Sequence, residues 1–306
     1  MVDATQVSVD LDGIACYHAF HGLPPPAAAV HGVALVRWLP RFLELFAELG
    51  VRATFFVIGR ELERALADDG PGARHLRQAL ADGHELGNHS YAHAYDMVRR
   101  DPAEQADDIA TCDRLLRELG ATPVGFRAPG YTHDARLLSA VATAGYRYDS
   151  SALPSPMYWA AKVAAIGWHR LLGRRSHSMV RGAASFFGGR DPYVDATSGL
   201  VELPITTLGP LRLPLVGTFV LAGPRWVRNA LVAGVAERSS VHLELHAIDL
   251  VDEQGDGIDD RLARLQPELR TPLATRRDRL ADLLRARAGF ECLRDAAARV
   301  SSGPRP

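Results

Sequence analysis

The apolar positions of the chain divide it into short strands and longer helices that alternate along much of its length. Residues 6–12 (QVSVDLD) alternate strictly, with Val7, Val9 and Leu11 on one face and Ser8, Asp10 and Asp12 on the other. The two carboxylates therefore share a side, roughly 6 to 7 Å apart on an extended strand. Residues 51–58 (VRATFFVI) are almost continuously apolar, which predicts a strand buried on both faces. Between these strands, Leu35, Trp38, Leu39, Phe42, Leu45, Phe46 and Leu49 recur at helical spacing, so a helix is expected over 33–49, kinked at Pro40 and stopped by Gly50. Residues 15–32 contain His18, His21, His31 and Pro24-Pro25-Pro26 and read as a long loop, its histidines solvated or touching substrate. Further helices are expected over 72–81, 102–119, 134–144 and 275–288, and strands over 84–87, 124–127, 146–149, 201–205 and 241–246. Strand, helix, strand in that order implies a parallel sheet.

The pattern breaks at 150–190. This stretch contains no Asp or Glu but carries Lys162, Arg170, Arg174, Arg175, Arg181 and Arg190. Within it, 156–175 (PMYWAAKVAAIGWHRLLGRR) is apolar almost all round a helix, with Lys162 and His169 as a narrow polar strip. Two readings stand open: a helix of the core or of a dimer interface, or one lying in a membrane interface with Trp159 and Trp168 at headgroup level. The apolar run 209–227 is interrupted by prolines and is expected to be a strand and loop of the core.

Composition narrows the function classes. A chain of 306 residues with 47% hydrophobic content can bury a large core, and one barrel-sized domain over 1–306 with an insertion at 150–190 is the favoured division. A net charge of −1 argues against a polyanion ligand, so no nucleic-acid partner is expected. Cys16, Cys112 and Cys292 are odd in number and far apart, which excludes a complete disulfide framework and fits a reducing compartment. The first residues show no basic stretch followed by an apolar run, and no uninterrupted apolar stretch of 18 residues occurs, so a cytoplasmic location is expected.

The candidate chemistry centres on His89-Ser90-Tyr91-Ala92-His93. If that run is helical, the two imidazoles face the same way and can hold one divalent ion, given a third ligand from elsewhere. Three further motifs follow the family order of the polysaccharide deacetylases, which this sequence resembles: SVDLDG at 8–13, Arg127-Ala-Pro-Gly-Tyr131, and Leu243-Glu-Leu-His246. This NodB-homology family consists of metal-dependent de-N-acylases. The acidic motif departs from the family's adjacent Asp-Asp, because Leu11 separates Asp10 from Asp12. That Asp-x-Asp is more similar to the branch that deformylates undecaprenyl-phosphate-linked aminoarabinose.

The resemblance implies an α/β fold, a distorted (β/α) barrel of about seven parallel strands, with its motifs at the carboxyl ends of successive strands. It also implies one divalent ion on Asp12, His89 and His93, with zinc the first choice and manganese or cobalt also fitting. Asp10 is then the general base and His246 the general acid. Arg127 orients the base and keeps it ionised, the backbone N–H of Tyr131 faces the oxyanion, and Asp149 supports the cluster from behind. The intervening Leu11 leaves the roles of Asp10 and Asp12 exchangeable. Glu244 is expected to share the inward face with His246 and either tune it or form a structural ion pair. The implied activity is removal of an acetyl or formyl group from an amino sugar, either free or lipid-linked, the lipid-linked case placing the protein peripherally at the inner face of the membrane. Alternatives are a cyclic-amide hydrolase of allantoinase type and a non-catalytic carbohydrate- or lipid-binding barrel.

Overall fold

The computed structural model describes residues 4–171, 173, 176–178, 188–252 and 254–302. Arg174, Arg175 and Arg181 of the expected basic segment lie outside the described residues. The strands are β1 (Ala4–Asp10), β2 (Thr54–Val57), β3 (Glu85–Asn88), β4 (Gly125–Phe126), β5 (Tyr148–Asp149), β6 (Tyr193–Val194), β7 (Val201–Glu202), β8 (Thr207–Leu208), β9 (Leu213–Pro214), β10 (Ser240–His246) and β11 (Phe290–Glu291). Seven of them run parallel in the order β10-β1-β2-β3-β4-β5-β7, with β6 antiparallel beyond β7 and β11 added beside the start of β1. Between β7 and β10 the wall is irregular chain: Thr206 N donates to His242 O (3.1 Å) and Glu244 N donates to Leu215 O (3.1 Å). The result is the distorted (β/α) barrel expected from the sequence.

The strand β1 is buried along its whole length, which explains both of its faces. Val7, Val9 and Leu11 pack into the main core with Trp38, Phe42, Phe46 and Phe55, while Ser8 and Asp10 enter hydrogen bonds in the barrel interior. The helix Pro102–Leu119 has the bounds expected from the sequence. Asp101 caps it by accepting from Ala103 N (2.9 Å), Glu104 reaches back to Asp101 N (3.4 Å), and Gly120 closes it at φ 106°. The expected helix over 33–49 forms as a π-helical turn, Ala34–Trp38, running into an α-helix, Leu39–Leu49, with Pro40 at its start and Gly50 as its left-handed cap.

Residues 15–32 correct the expectation of a loop, because Ile14–His21 is a helix, α1. Its polar side chains His18 and His21 are buried along with Ile14, Cys16 and Tyr17, so no polar stripe betrays the helix in sequence. The helix Pro156–Leu171 inverts the usual arrangement. Its polar strip faces inward, with Lys162 and His169 buried beside Trp159, and its apolar residues face out, with Val163 51%, Trp168 60% and Leu171 81% exposed. Trp159 is therefore a core residue, its indole N–H donating to Leu153 O (2.9 Å), and only Trp168 of the two tryptophans is available to a surface.

Candidate active site

The motif residues arrive at one end of the barrel because each follows the carboxyl end of a parallel strand: Asp10 and Asp12 after β1, His89 after β3, Arg127 after β4 and His246 at the end of β10. The stretch 89–93 is a turn and not a helix. Ser90 and His93 lie in the left-handed region, at φ 63° and 50°, and buried partners hold that strained backbone. Ser90 N donates to Asn88 Oδ1 (2.8 Å), Tyr91 N and Ala92 N donate to the Asp108 carboxylate (2.7 and 3.0 Å), and His93 N donates to Ser90 Oγ (2.9 Å). The turn places the two ring centroids 4.9 Å apart.

Asp12 stands against both imidazoles: its Oδ1 is 3.5 Å from His89 Nε2 and 3.1 Å from His93 Nε2. His89 Nδ1 donates to Arg127 O (2.8 Å), so in the neutral ring Nε2 keeps its lone pair toward the carboxylates. Burial opposes charge on all three, yet their mutual attraction prevails. The imidazoles hold the Asp12 carboxyl well below its usual range, and Asp12 and Cys16 raise His93 to about 9. Asp12 Oδ1 and both nitrogens of His93 are buried without a hydrogen-bond partner. Donors bound about 2.0–2.1 Å from a tetrahedral zinc ion lie roughly 3.3 Å apart, and the separation of Asp12 from each imidazole matches, while Asp12 and His93 gather within 4.8 Å of one another in a set that leaves out His89. The residues thus fit a divalent ion, which would take the place of the proton that the cluster otherwise recruits.

Asp10 is tied differently. Its Oδ1 accepts from Arg127 Nη1 (2.6 Å), while Oδ2 lies 3.6 Å from His89 Nε2. Arg127 is wholly buried, stacked over the Phe56 ring at 4.3 Å. It also donates to Ser8 Oγ (3.0 Å), Ser150 O (2.8 Å) and Ser150 Oγ (2.9 Å). Ser8 in turn meets His242 Nε2 at 2.9 Å. Burial and the guanidinium push His242 down to about 3, so it stays neutral and adds no second cation.

His246 faces the same cavity, of about 510 Å³, with Asp10, Asp12 and His89 in its lining. Its Nδ1 is 3.1 Å from Glu244 Oε1, its Nε2 is 3.3 Å from the Tyr131 hydroxyl, and its backbone N–H donates to Asp249 Oδ2 (2.8 Å). Burial pushes Glu244 up to about 7. Burial also works against charge on His246, but Glu244, backed by Asp10 and Asp12, outweighs it and holds the imidazolium up to about 9. Between those values the pair is carboxylate and imidazolium. If His246 must be protonated to act, Glu244→Gln removes the main anion that sustains it. The alkaline limb of kcat/KM then moves down from near 9, lowering the rate at pH 8 by about 10-fold or more; a pH–rate profile whose alkaline limb stays in place refutes this.

Two expected roles differ in the structure. The backbone N–H of Tyr131 is taken by Ala128 O (3.0 Å), with Gly130 and Tyr131 both left-handed (φ 60° each), so the residue offers its phenol to the site rather than its amide. Asp149 does not reach the cluster. Its carboxylate accepts from Ser151 N (3.0 Å) and Ser151 Oγ (2.8 Å), and Ser151 Oγ accepts from Ala128 N (2.8 Å), so Asp149 acts on the backbone next to Arg127. Sequence reasoning missed Ser150, Ser151 and His242 as supports, and it placed His21 in a loop. His21 is buried in α1, 3.2 Å from His169 Nε2 and 2.8 Å from Gln266 Oε1, at the cavity wall. Lys162 also lines the cavity, donating to Gly130 O (2.9 Å), and burial pulls it down to about 7.

Fold and site together define a (β/α) barrel whose mouth holds a buried carboxylate–imidazole cluster. Residues 31–148 match the model of the polysaccharide deacetylase family. A 92-residue stretch is 35% identical to a chitooligosaccharide deacetylase of Bradyrhizobium sp. (strain ANU 289), covering 29% of this chain and 38% of the relative. A 111-residue stretch is 31% identical to a peptidoglycan-N-acetylglucosamine deacetylase of Bacillus cereus, covering 36% and 48%. The chain thus spans less than half the length of these curated relatives. Among solved structures, a candidate polysaccharide deacetylase from Mycobacterium smegmatis matches with TM-score 0.58 at 18% identity over 99% of this chain and 94% of the other. One from Pseudomonas aeruginosa PAO1 matches with TM-score 0.57 at 17% identity over 96% and 89%. Both share the fold.

Proposed function

We propose that the chain is a metal-dependent hydrolase that removes an N-acyl group from an amino sugar. The observation that carries this reading is the division of labour among the carboxylates: Asp12 stands 3.5 and 3.1 Å from the two imidazoles, and Asp10 is clamped by Arg127 beside them. The relatives named as chitooligosaccharide and peptidoglycan-N-acetylglucosamine deacetylases support the sugar substrate. Asp12, His89 and His93 would hold a divalent ion, which would supply Lewis acidity to the acyl carbonyl and to a water. Asp10 takes a proton from the attacking water as the new C–O bond forms and the carbonyl electron pair moves onto oxygen. Collapse then breaks the C–N bond, and the His246 imidazolium gives its proton to the leaving nitrogen, yielding a carboxylate and a free amine. Tyr131, 3.3 Å from His246 Nε2, positions that acid.

Release of acetate or formate from N-acylated amino sugars is expected to stop on complete chelation and to return with added zinc, manganese or cobalt. Unchanged turnover in metal-free protein overturns the reading. Faster turnover of a cyclic ureide would reassign the substrate to a cyclic amide.

The substrate we favour is a sugar carried on a lipid, approached at a membrane surface from the cytoplasmic side. Support comes from the helix Pro156–Leu171, which lines the cavity through Lys162, Trp168 and His169 while turning Val163, Trp168 and Leu171 outward. Three buried free cysteines agree with a reducing compartment. Among the described residues no helix is long and apolar enough to cross a membrane, so contact would be peripheral. Cosedimentation with anionic liposomes is expected for the native chain and weaker for Trp168→Ser/Leu171→Ser. Equal absence of both proteins from the lipid pellet ends the membrane proposal.

A further inference from the structure

The chain that supplies Asp12 continues through Gly13 into α1, and the first turn of that helix carries Cys16, whose N–H donates to Gly13 O (3.0 Å). The Cys16 sulfur, a carboxylate oxygen of Asp12 and a ring nitrogen of His93 all lie within 4.8 Å of one another, and all three residues are buried. The other cysteines are placed differently: Cys112 Sγ donates to Val57 O (3.5 Å) and Cys292 Sγ to Ala53 O (3.5 Å). Cys16 instead faces two side chains whose own polar atoms, Asp12 Oδ1 and both nitrogens of His93, are buried without a hydrogen-bond partner. A thiol, a carboxylate and an imidazole within 4.8 Å of one another form a donor set for a cation.

We propose that Cys16, as thiolate, is a protein ligand beside Asp12 and His93 to the divalent ion of the site. This rests on the metal-dependent reading above and adds to it the softness and charge of the site. On binding, the S–H proton leaves to solvent and a sulfur–metal bond forms. The charges then balance: two positive charges of the ion meet one negative charge each from Asp12 and Cys16, whereas Asp12 alone would leave a buried net positive charge. A thiolate in the set favours zinc and cobalt over manganese and magnesium.

The test is the optical spectrum of the full chain loaded with one equivalent of cobalt(II), a readout independent of turnover. The expected result is a near-ultraviolet sulfur-to-cobalt charge-transfer band that vanishes in Cys16→Ser while the weaker ligand-field bands of bound cobalt persist. Zinc affinity should fall by about 10-fold or more in that variant while manganese affinity changes by less than about 2-fold. Should Cys16→Ser not fold, X-ray absorption of the native zinc-loaded chain gives the answer, with a sulfur shell at about 2.3 Å expected. Bound cobalt or zinc without a sulfur signature overturns the proposal and leaves the metal-dependent hydrolase intact. Failure to take up either ion overturns both.

Discussion

His93→Ala is expected to lose metal retention and deacylase activity in the same step, and His89→Ala to do likewise. Losing a residue that merely supports a ligand typically lowers metal affinity 10–100-fold, so loss of a ligand itself should cost about 1,000-fold or more. The two losses should track each other across a zinc titration, with high metal restoring part of the rate. In metal-free protein His93→Ala also removes the buried partner of Asp12, 3.1 Å away, so a loss of stability is expected as well. His89→Ala also removes the Nδ1 bond to Arg127 O and should destabilise more. Metal content by elemental analysis, set beside the initial rate, checks this. Full activity without bound ion would remove the histidines from the mechanism.

Asp10→Asn should separate what the histidine variants join. Loss of a positioned base lowers the rate by about 100- to 10,000-fold, while Asp12, His89 and His93 still hold the ion. The same change leaves the buried Arg127 guanidinium without its counter-charge, and breaking a buried pair from one side costs about 3–5 kcal/mol. A lower melting temperature, near-native metal content and a collapsed rate are therefore expected together. Asp12→Asn should show the converse, weak metal binding with the Arg127 ion pair intact. If Asp10→Asn lost the ion and Asp12→Asn kept it, the two carboxylates would have to exchange roles.

Much of the barrel was legible because its strands are buried on both faces or strictly alternating, and helices such as Pro102–Leu119 carry both a period and caps. The short strands at 125–126 and 148–149 fall inside the expected 124–127 and 146–149, placed by their alternation with the helices. What stayed hidden shares one cause: polar residues that fold inward. The helix Ile14–His21 buries His18 and His21, so its pattern lacks the polar face that periodicity needs. In Pro156–Leu171 the polar strip was visible, but nothing in the sequence said that the strip faces the cavity and the apolar side faces out. The turn at 89–93 depends on Asp108, 15 residues beyond His93 and on another element, and no local signal links them. Ser8 was placed on the face of Asp10 by alternation, yet its partners Arg127 and His242 come from distant strands.

Arg127 meets both halves of the site at once: its guanidinium grips Asp10, and its carbonyl accepts from His89 Nδ1. The residue is thus a joint through which strain can pass in either direction. A cation pulling on His89 tugs at the peptide that seats the guanidinium, and a shift at the carboxylate is felt at the imidazole. Perturbations at the two ends should then fail to add: a double-mutant cycle between Asp10 and His89, read through folding free energy, should show a coupling of about 0.5–3 kcal/mol. The barrel would be tuned as one instrument, in which occupancy at one seat changes the pitch at the other.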